Sequence, residues 1–196
     1  MIHLTSCGIF QWELEKVLPE IEKELGQPVD LALISPALDA SEAKLERALR
    51  ESAADSGGDR YAWLYGSMCH PNMAGLAEEL GAAFPKPANC MEIFLGPEQK
   101  KKRDAEGNFY YISSGGLRLW RKIYQEERGM DEADARVNFG YFEKIIVLDT
   151  GLFPIEDEEV LAFYDFTQIP LEIEPIGLDY FKSVILDICR RAFRGP

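Results

Sequence analysis

EKIIVLDTG, residues 143–151, carries four consecutive apolar residues, Ile145 to Leu148, between Lys144 and Asp149. A strand buried on both faces has no reason to alternate apolar with polar, so this run reads as the inner strand of a parallel sheet. Parallel strands need crossover connections, and both flanks offer them. DEADARVNFGYF (131–142) ahead and DEEVLAFYDFT (157–167) behind read as helices. Further out, FYYIS (109–113) and IPLEIEPI (169–176) read as strands, and LRLWRKIYQEE (117–127) and LDYFKSVILDICRRAF (178–193) as helices. KKKRDAEGN (100–108) reads as a solvated loop, and the serine–glycine stretch at 113–116 as a turn.

The first half repeats the alternation. IHLTS (2–6) is a strand, followed by Cys7-Gly8 and a helix from about Ile9 to Leu25. Phe10, Leu14, Val17, Leu18, Ile21 and Leu25 recur there at helical spacing, and Gly26 is a natural stop. VDLALIS (29–35) is the next strand, EAKLERALRESAA (42–54) a helix, and 56–59 a turn. YAWLYG (61–66) is a buried strand, with a short helix from Met73 to Leu80 and a helical MEIFL (91–95) after it. The expectation is an α/β fold with a mostly parallel sheet and helices on both faces. One domain over 1–196 suits the length, with strand, cysteine and helix recurring as a degenerate internal repeat.

Acids outnumber bases 34 to 21, a formal net charge of −13. Such a surface repels phosphate backbones and anionic membranes, so nucleic-acid and membrane partners are not expected. No apolar run approaches the ~20 residues of a membrane helix. The opening MIHLTSCGIFQWELEKVL lacks the basic stretch and apolar core of an export signal, so a cytoplasmic location is expected. Thiols are kept reduced there, which makes the four cysteines core, catalytic or metal-binding rather than bridged.

Cys7 follows a strand and precedes a helix; Cys69, in LYGSMCHPNM (64–73), does the same; Cys90 opens MEIFL. The carboxyl ends of parallel strands share one edge, where α/β proteins bind ligands. Three thiols at three such ends are expected to face one crevice. Thiolates gathered there would repel one another unless a cation holds them, which points to a transition-metal ion or an iron–sulfur cluster. The bland alternative is small apolar filler beneath a Gly-containing turn, and no CxxC pair is present. Cys189, on the apolar face of VILDICRRAF, reads as core.

His70 follows Cys69 and is a candidate ligand, proton donor or thiol-activating partner. Asp149 ends the strand at 143–151 and is a candidate proton-transfer acid. Its Asp-Thr-Gly triplet is shared with aspartic proteases, but that chemistry needs two carboxylates sharing a proton. Ser113, Ser114, Gly115 and Gly116 precede a helix and are candidate cofactor-binding residues through their amides, with a simple turn and cap as the alternative. Glu13, about two turns into the first helix, reads as surface charge, and His3 as structural. There is no GxSxG, Walker A or GxGxxG pattern.

CGIFQWEL, WLYGSMC, NCMEIFLG, FYYISSGGL and IIVLDTG, in that order along most of the chain, resemble an uncharacterised prokaryotic family, the domain of unknown function 1638. The family's motifs place a Cys at three positions matching Cys7, Cys69 and Cys90. This chain has Asn89 where the family often has Asp, Gly115-Gly116 where it often has Gly-Trp, and one extra residue before Cys69. The resemblance implies an anaerobe's protein in one-carbon or corrinoid metabolism, with a corrinoid methyltransferase system or a small molecule as partner. Three functions follow as expectations. The first is a cytosolic metalloprotein with Cys7, Cys69 and Cys90 as ligands. The second is a metal-free thiol enzyme using Cys69 with His70. The third is a non-catalytic accessory protein.

Overall fold

The structure is a computed structural model describing residues 1–55 and 60–194; the turn expected at 56–59 lies outside the described residues. The chain forms two compact units where the sequence reading drew one domain: residues 1–97 with 178–196, and residues 98–177. Each holds a parallel sheet, so the α/β expectation is met by two sheets, all of whose strands run parallel.

The first unit begins with β1 (Ile2–Cys7), a 3-10 turn (Gly8–Phe10) and α1 (Gln11–Leu25). Next come β2 (Val29–Ile34), a second 3-10 turn (Pro36–Ala40), α2 (Glu42–Asp55), β3 (Tyr61–Leu64), α3 (Met73–Leu80) and β4 (Ala82–Ala83). α4 (Cys90–Leu95) follows, and α9 (Asp179–Arg194) returns from the far end of the chain. The sheet order is β2-β1-β3-β4. His3, Thr5 and Cys7 share a face with Tyr61 and Trp63, by strand register and alternation. On that face Leu45 and Leu49 of α2 and Met73, Leu76 and Ala77 of α3 pack against Tyr61 and Trp63. Elsewhere in the unit, the rings of Phe10, Phe94 and Phe181 meet with centroids 5.2–5.4 Å apart, tying the 3-10 turn, α4 and α9 together. Cys189 is fully buried, as expected, and burial pushes its thiol up to about 12.

The second unit takes in all but the first residue of α5 (Pro97–Asp104), then β5 (Phe109–Ser113), α6 (Ser114–Arg118), a π-helical stretch (Arg121–Glu127) and α7 (Glu132–Phe139). β6 (Lys144–Asp149), α8 (Asp157–Thr167) and β7 (Leu171–Pro175) complete it. The strand at 143–151 that decides the fold is the middle of the order β5-β6-β7, with Ile145 to Leu148 all buried. The unit's core is aromatic: Phe163 is in ring contact with Trp120, Tyr124, Phe139 and Phe166, which also pair as Trp120–Phe166 and Tyr124–Phe139.

Two local readings are corrected. The expected loop at 100–108 is α5 over most of its length. Pro97 presets the first turn, Glu98 lies at the positive end of the helix, and Lys101, Lys102 and Arg103 lie at its negative end. The expected turn at 113–116 is the start of α6, with the Ser113 hydroxyl accepting the Gly116 N–H at 3.0 Å as an N-cap. No helix among the described residues is long and apolar enough to cross a membrane.

Candidate functional site

β1 and β3 are parallel neighbours, so both deliver their following residues to one edge of the first sheet. Cys7 is the last residue of β1; Cys69 lies in the loop after β3; Cys90 is the first residue of α4. All three are partly exposed thiols, and all three line one cavity of about 40 Å³. Phe10, Leu64, Tyr65 and Gly66 supply most of its remaining wall. Water needs roughly 10–15 Å³ of such volume, so the cavity has room for an ion or a few atoms and not for an organic cofactor.

Close backbone packing builds this cavity. A Cβ on Gly66 would overlap the carbonyl oxygen of Ala88 and stand 2.5 Å from its carbonyl carbon and 2.6 Å from Asn89 Cα. Only glycine lets the two segments meet there. Two consecutive bonds just ahead of Cys69 hold the contact: Met68 N–H donates to Ala88 O (2.8 Å) and Ser67 N–H to Pro87 O (3.3 Å). Asn89 then caps α4 by accepting the Glu92 N–H (3.0 Å), while the Glu92 carboxylate accepts the Ala88 N–H (2.7 Å). Asp at position 89 would make the same cap, so the departure from the family pattern leaves this turn intact. Gly8 has a related role: a Cβ there would be 3.1 Å from Ile34 O and 3.4 Å from Pro36 Cδ.

Sharing a cavity is less than forming a finished metal site. Among the described residues, no three His, Cys, Asp or Glu side chains are grouped as a ready-made metal centre. His70 is buried but is not part of the cavity wall. Its Nδ1 accepts the Asn72 N–H (3.1 Å), and its Nε2 faces Glu46 Oε2 at 3.8 Å. That arrangement ties the cysteine loop to α2.

Glu13, expected on the surface, is fully buried. It is the third residue of α1, close behind cavity-lining Phe10. Spacing carried the signal: Phe10, Glu13, Leu14 and Val17 stand at i, i+3, i+4 and i+7, one helical stripe, so Glu13 belongs to the buried face. A buried carboxylate is costly and marks a position for functional scrutiny. Tyr65, also buried and in the cavity wall, gave no sequence signal beyond its apolar strand.

The remaining candidates lie in the second unit. Asp149 ends β6, and its Oδ1 accepts the Gly151 N–H at 2.8 Å, closing a turn. Ser113, Ser114, Gly115 and Gly116 are buried at the end of β5, and the Ser114 hydroxyl is 3.4 Å from that of Thr150. With the Gly116 amide engaged by Ser113, this stretch serves the helix start.

No curated protein and no solved structure matches the chain. A family model matches residues 33–185 of the 196, taking in Cys69, Cys90 and the strand at 143–151, while β1 and Cys7 lie outside it. The chain therefore belongs to the family described as "Protein of unknown function (DUF1638)".

Proposed function

We propose that this protein binds a soft transition-metal ion through the thiolates of Cys7, Cys69 and Cys90. The observation that carries the reading is that three cysteines distant in sequence line one cavity. Thiolate donors favour zinc, copper(I) or iron, and the other walls are largely apolar, with Tyr65 among them. At about 40 Å³ the cavity suits one ion and a small exogenous ligand better than a four-iron cluster. Metal–sulfur bonds of about 2.3 Å would set the spacing of the three sulfurs around the ion. Three protein ligands leave a coordination position for a small soft substrate, which is how such a centre would serve one-carbon or corrinoid chemistry.

Anaerobic loading with zinc(II), iron(II) with or without sulfide, and copper(I), followed by metal analysis, tests this. The expected result is about one equivalent retained by wild type and by Cys189→Ser, and lost in the Cys7→Ser/Cys69→Ser/Cys90→Ser variant. Retention below about a tenth of an equivalent of every metal, or no loss in the triple variant, rejects it. A single fast-alkylating thiol at Cys69 in metal-free protein would instead support nucleophilic chemistry.

A further inference from the structure

A second concave site lies on the first unit, away from the cysteine motifs. It is a groove of about 410 Å³, lined by His3, Thr5, Asp30, Ala32, Glu51 and Ser52 among others. Its origin is local. α2 packs over β3 through Leu45 and Leu49, while Asp30 and Ala32 on the edge strand β2 stay exposed. Small side chains, Ala32 on the strand and Ala48 on the helix, leave the space between them open. The volume falls in the usual range of small-molecule sites.

The polar groups of this groove are acceptors, and a hydroxyl chain behind it explains why. Tyr61 O–H donates to Leu49 O (3.2 Å); Tyr61 and Thr5 hydroxyls are 3.1 Å apart; Thr5 and Ser52 hydroxyls are 2.5 Å apart. Three hydroxyl protons satisfy three bonds in only one order: Ser52 to Thr5, Thr5 to Tyr61, Tyr61 to the carbonyl. Ser52 thus commits its proton inward and has only lone pairs left to offer. His3 Nδ1 donates to Asp30 Oδ2 at 2.9 Å, which fixes the ring at the rim of the groove. The carboxylates of Asp30 and Glu51 accept by nature, and both stand exposed at the groove; Glu51 Oε1 already accepts Arg47 Nε at 2.7 Å, which leaves its second oxygen for a guest. The floor, Ala32, Leu33, Ile34 and Ala48, is apolar.

We propose that this groove binds a small organic cation, an ammonium or guanidinium group carried on a short aliphatic chain. The donors of the cationic head match a wall of acceptors, the chain matches the apolar floor, and the protein's net charge of −13 raises the local concentration of cations.

Calorimetric and NMR titrations of the full chain with pentane-1,5-diammonium test the idea, with glutarate as a probe of equal chain length and opposite charge. Saturable one-to-one binding of the diammonium, without binding of glutarate, is expected. Asp30→Asn/Glu51→Gln should weaken it about tenfold, the loss of a charge-assisted hydrogen bond. Ala32→Trp, or Ala32→Leu should the former misfold, should abolish it by filling the groove. Equal binding of both probes, binding undiminished by the charge or filling variants, or no saturation up to about 10 mM overturns the proposal.

Discussion

Gly66→Ala is the sharpest test of how the thiol cavity is assembled. The new methyl group would overlap Ala88 O and lie within 2.6 Å of two further backbone atoms. No side-chain rotation can relieve a clash with main chain, so the segments must separate by about 1 Å to restore ordinary contact. That movement strains the Met68–Ala88 and Ser67–Pro87 hydrogen bonds, worth about 1 kcal/mol each, and adds an overpacking cost of about 1–3 kcal/mol. The expected loss is about 3–4 kcal/mol in urea unfolding. Gly26→Ala is the control: its φ is +68° with nothing within 4 Å of the added carbon, so only the left-handed backbone penalty of about 1–2 kcal/mol applies. Alkylation of Cys69 and Cys90 should accelerate in Gly66→Ala and stay unchanged in Gly26→Ala. A Gly66→Ala protein within about 0.5 kcal/mol of wild type, with native thiol reactivity, would refute the account of the clamp.

Phe94→Ala removes the ring between Phe10 and Phe181 and should cost about 3–5 kcal/mol, with faster labelling of Cys90 as α4 loosens. Cys189, pushed up to about 12 by burial, should carry about a thousandfold less thiolate than an ordinary cysteine at pH 8 and resist iodoacetamide until unfolding. Its folded form binds the proton more tightly than the unfolded chain. Its contribution is therefore complete below about pH 9 and declines between pH 9 and 12, by about 1.4 kcal/mol per unit, and Cys189→Ala should flatten the alkaline limb of the stability profile. Metal loading at pH 7 should release about two to three protons per ion, measured in weakly buffered solution; no release would mean that the thiols are not the ligands.

Strand positions were readable because burial on both faces leaves a continuous apolar signature, as at Ile145 to Leu148. Cys7 ends a strand as read, Cys69 lies in the loop after β3 and Cys90 opens α4, and the three appear along one cavity. What the sequence hid depends on tertiary contact. Gly66 looks like any strand-end glycine until Ala88 and Asn89 arrive opposite it, more than twenty residues later. β4 is two residues long, too short for a periodic signal. α5 is so polar that hydropathy reads it as loop, and only its end charges and Pro97 betray a helix. His70 follows a cysteine in sequence, yet its ring engages Asn72 and Glu46. Adjacency along a chain says little about where a side chain turns.

The division of the chain into two parallel sheets bears on how the first acquired its chemistry. Both sheets end their strands in residues that can bond or cap: Ser113 and Asp149 in one, Cys7 in the other, with Cys69 in the loop beyond β3. In the second unit those groups are consumed locally, by the Gly116 and Gly151 amides. Sulfur is a weaker hydrogen-bond donor and acceptor than a hydroxyl or a carboxylate, and as a thiolate it prefers soft metal ions to hard ones. Thiolates gathered around one cavity would repel one another, and the protein's net charge of −13 adds to the penalty. Apolar walls at Phe10 and Leu64 give no relief. On the proposed reading, a soft cation bound there would turn mutual repulsion among the sulfurs into attraction toward itself. Under the proposed function, such a site would select ions with high affinity for sulfur, which soft metal ions have and magnesium and calcium lack.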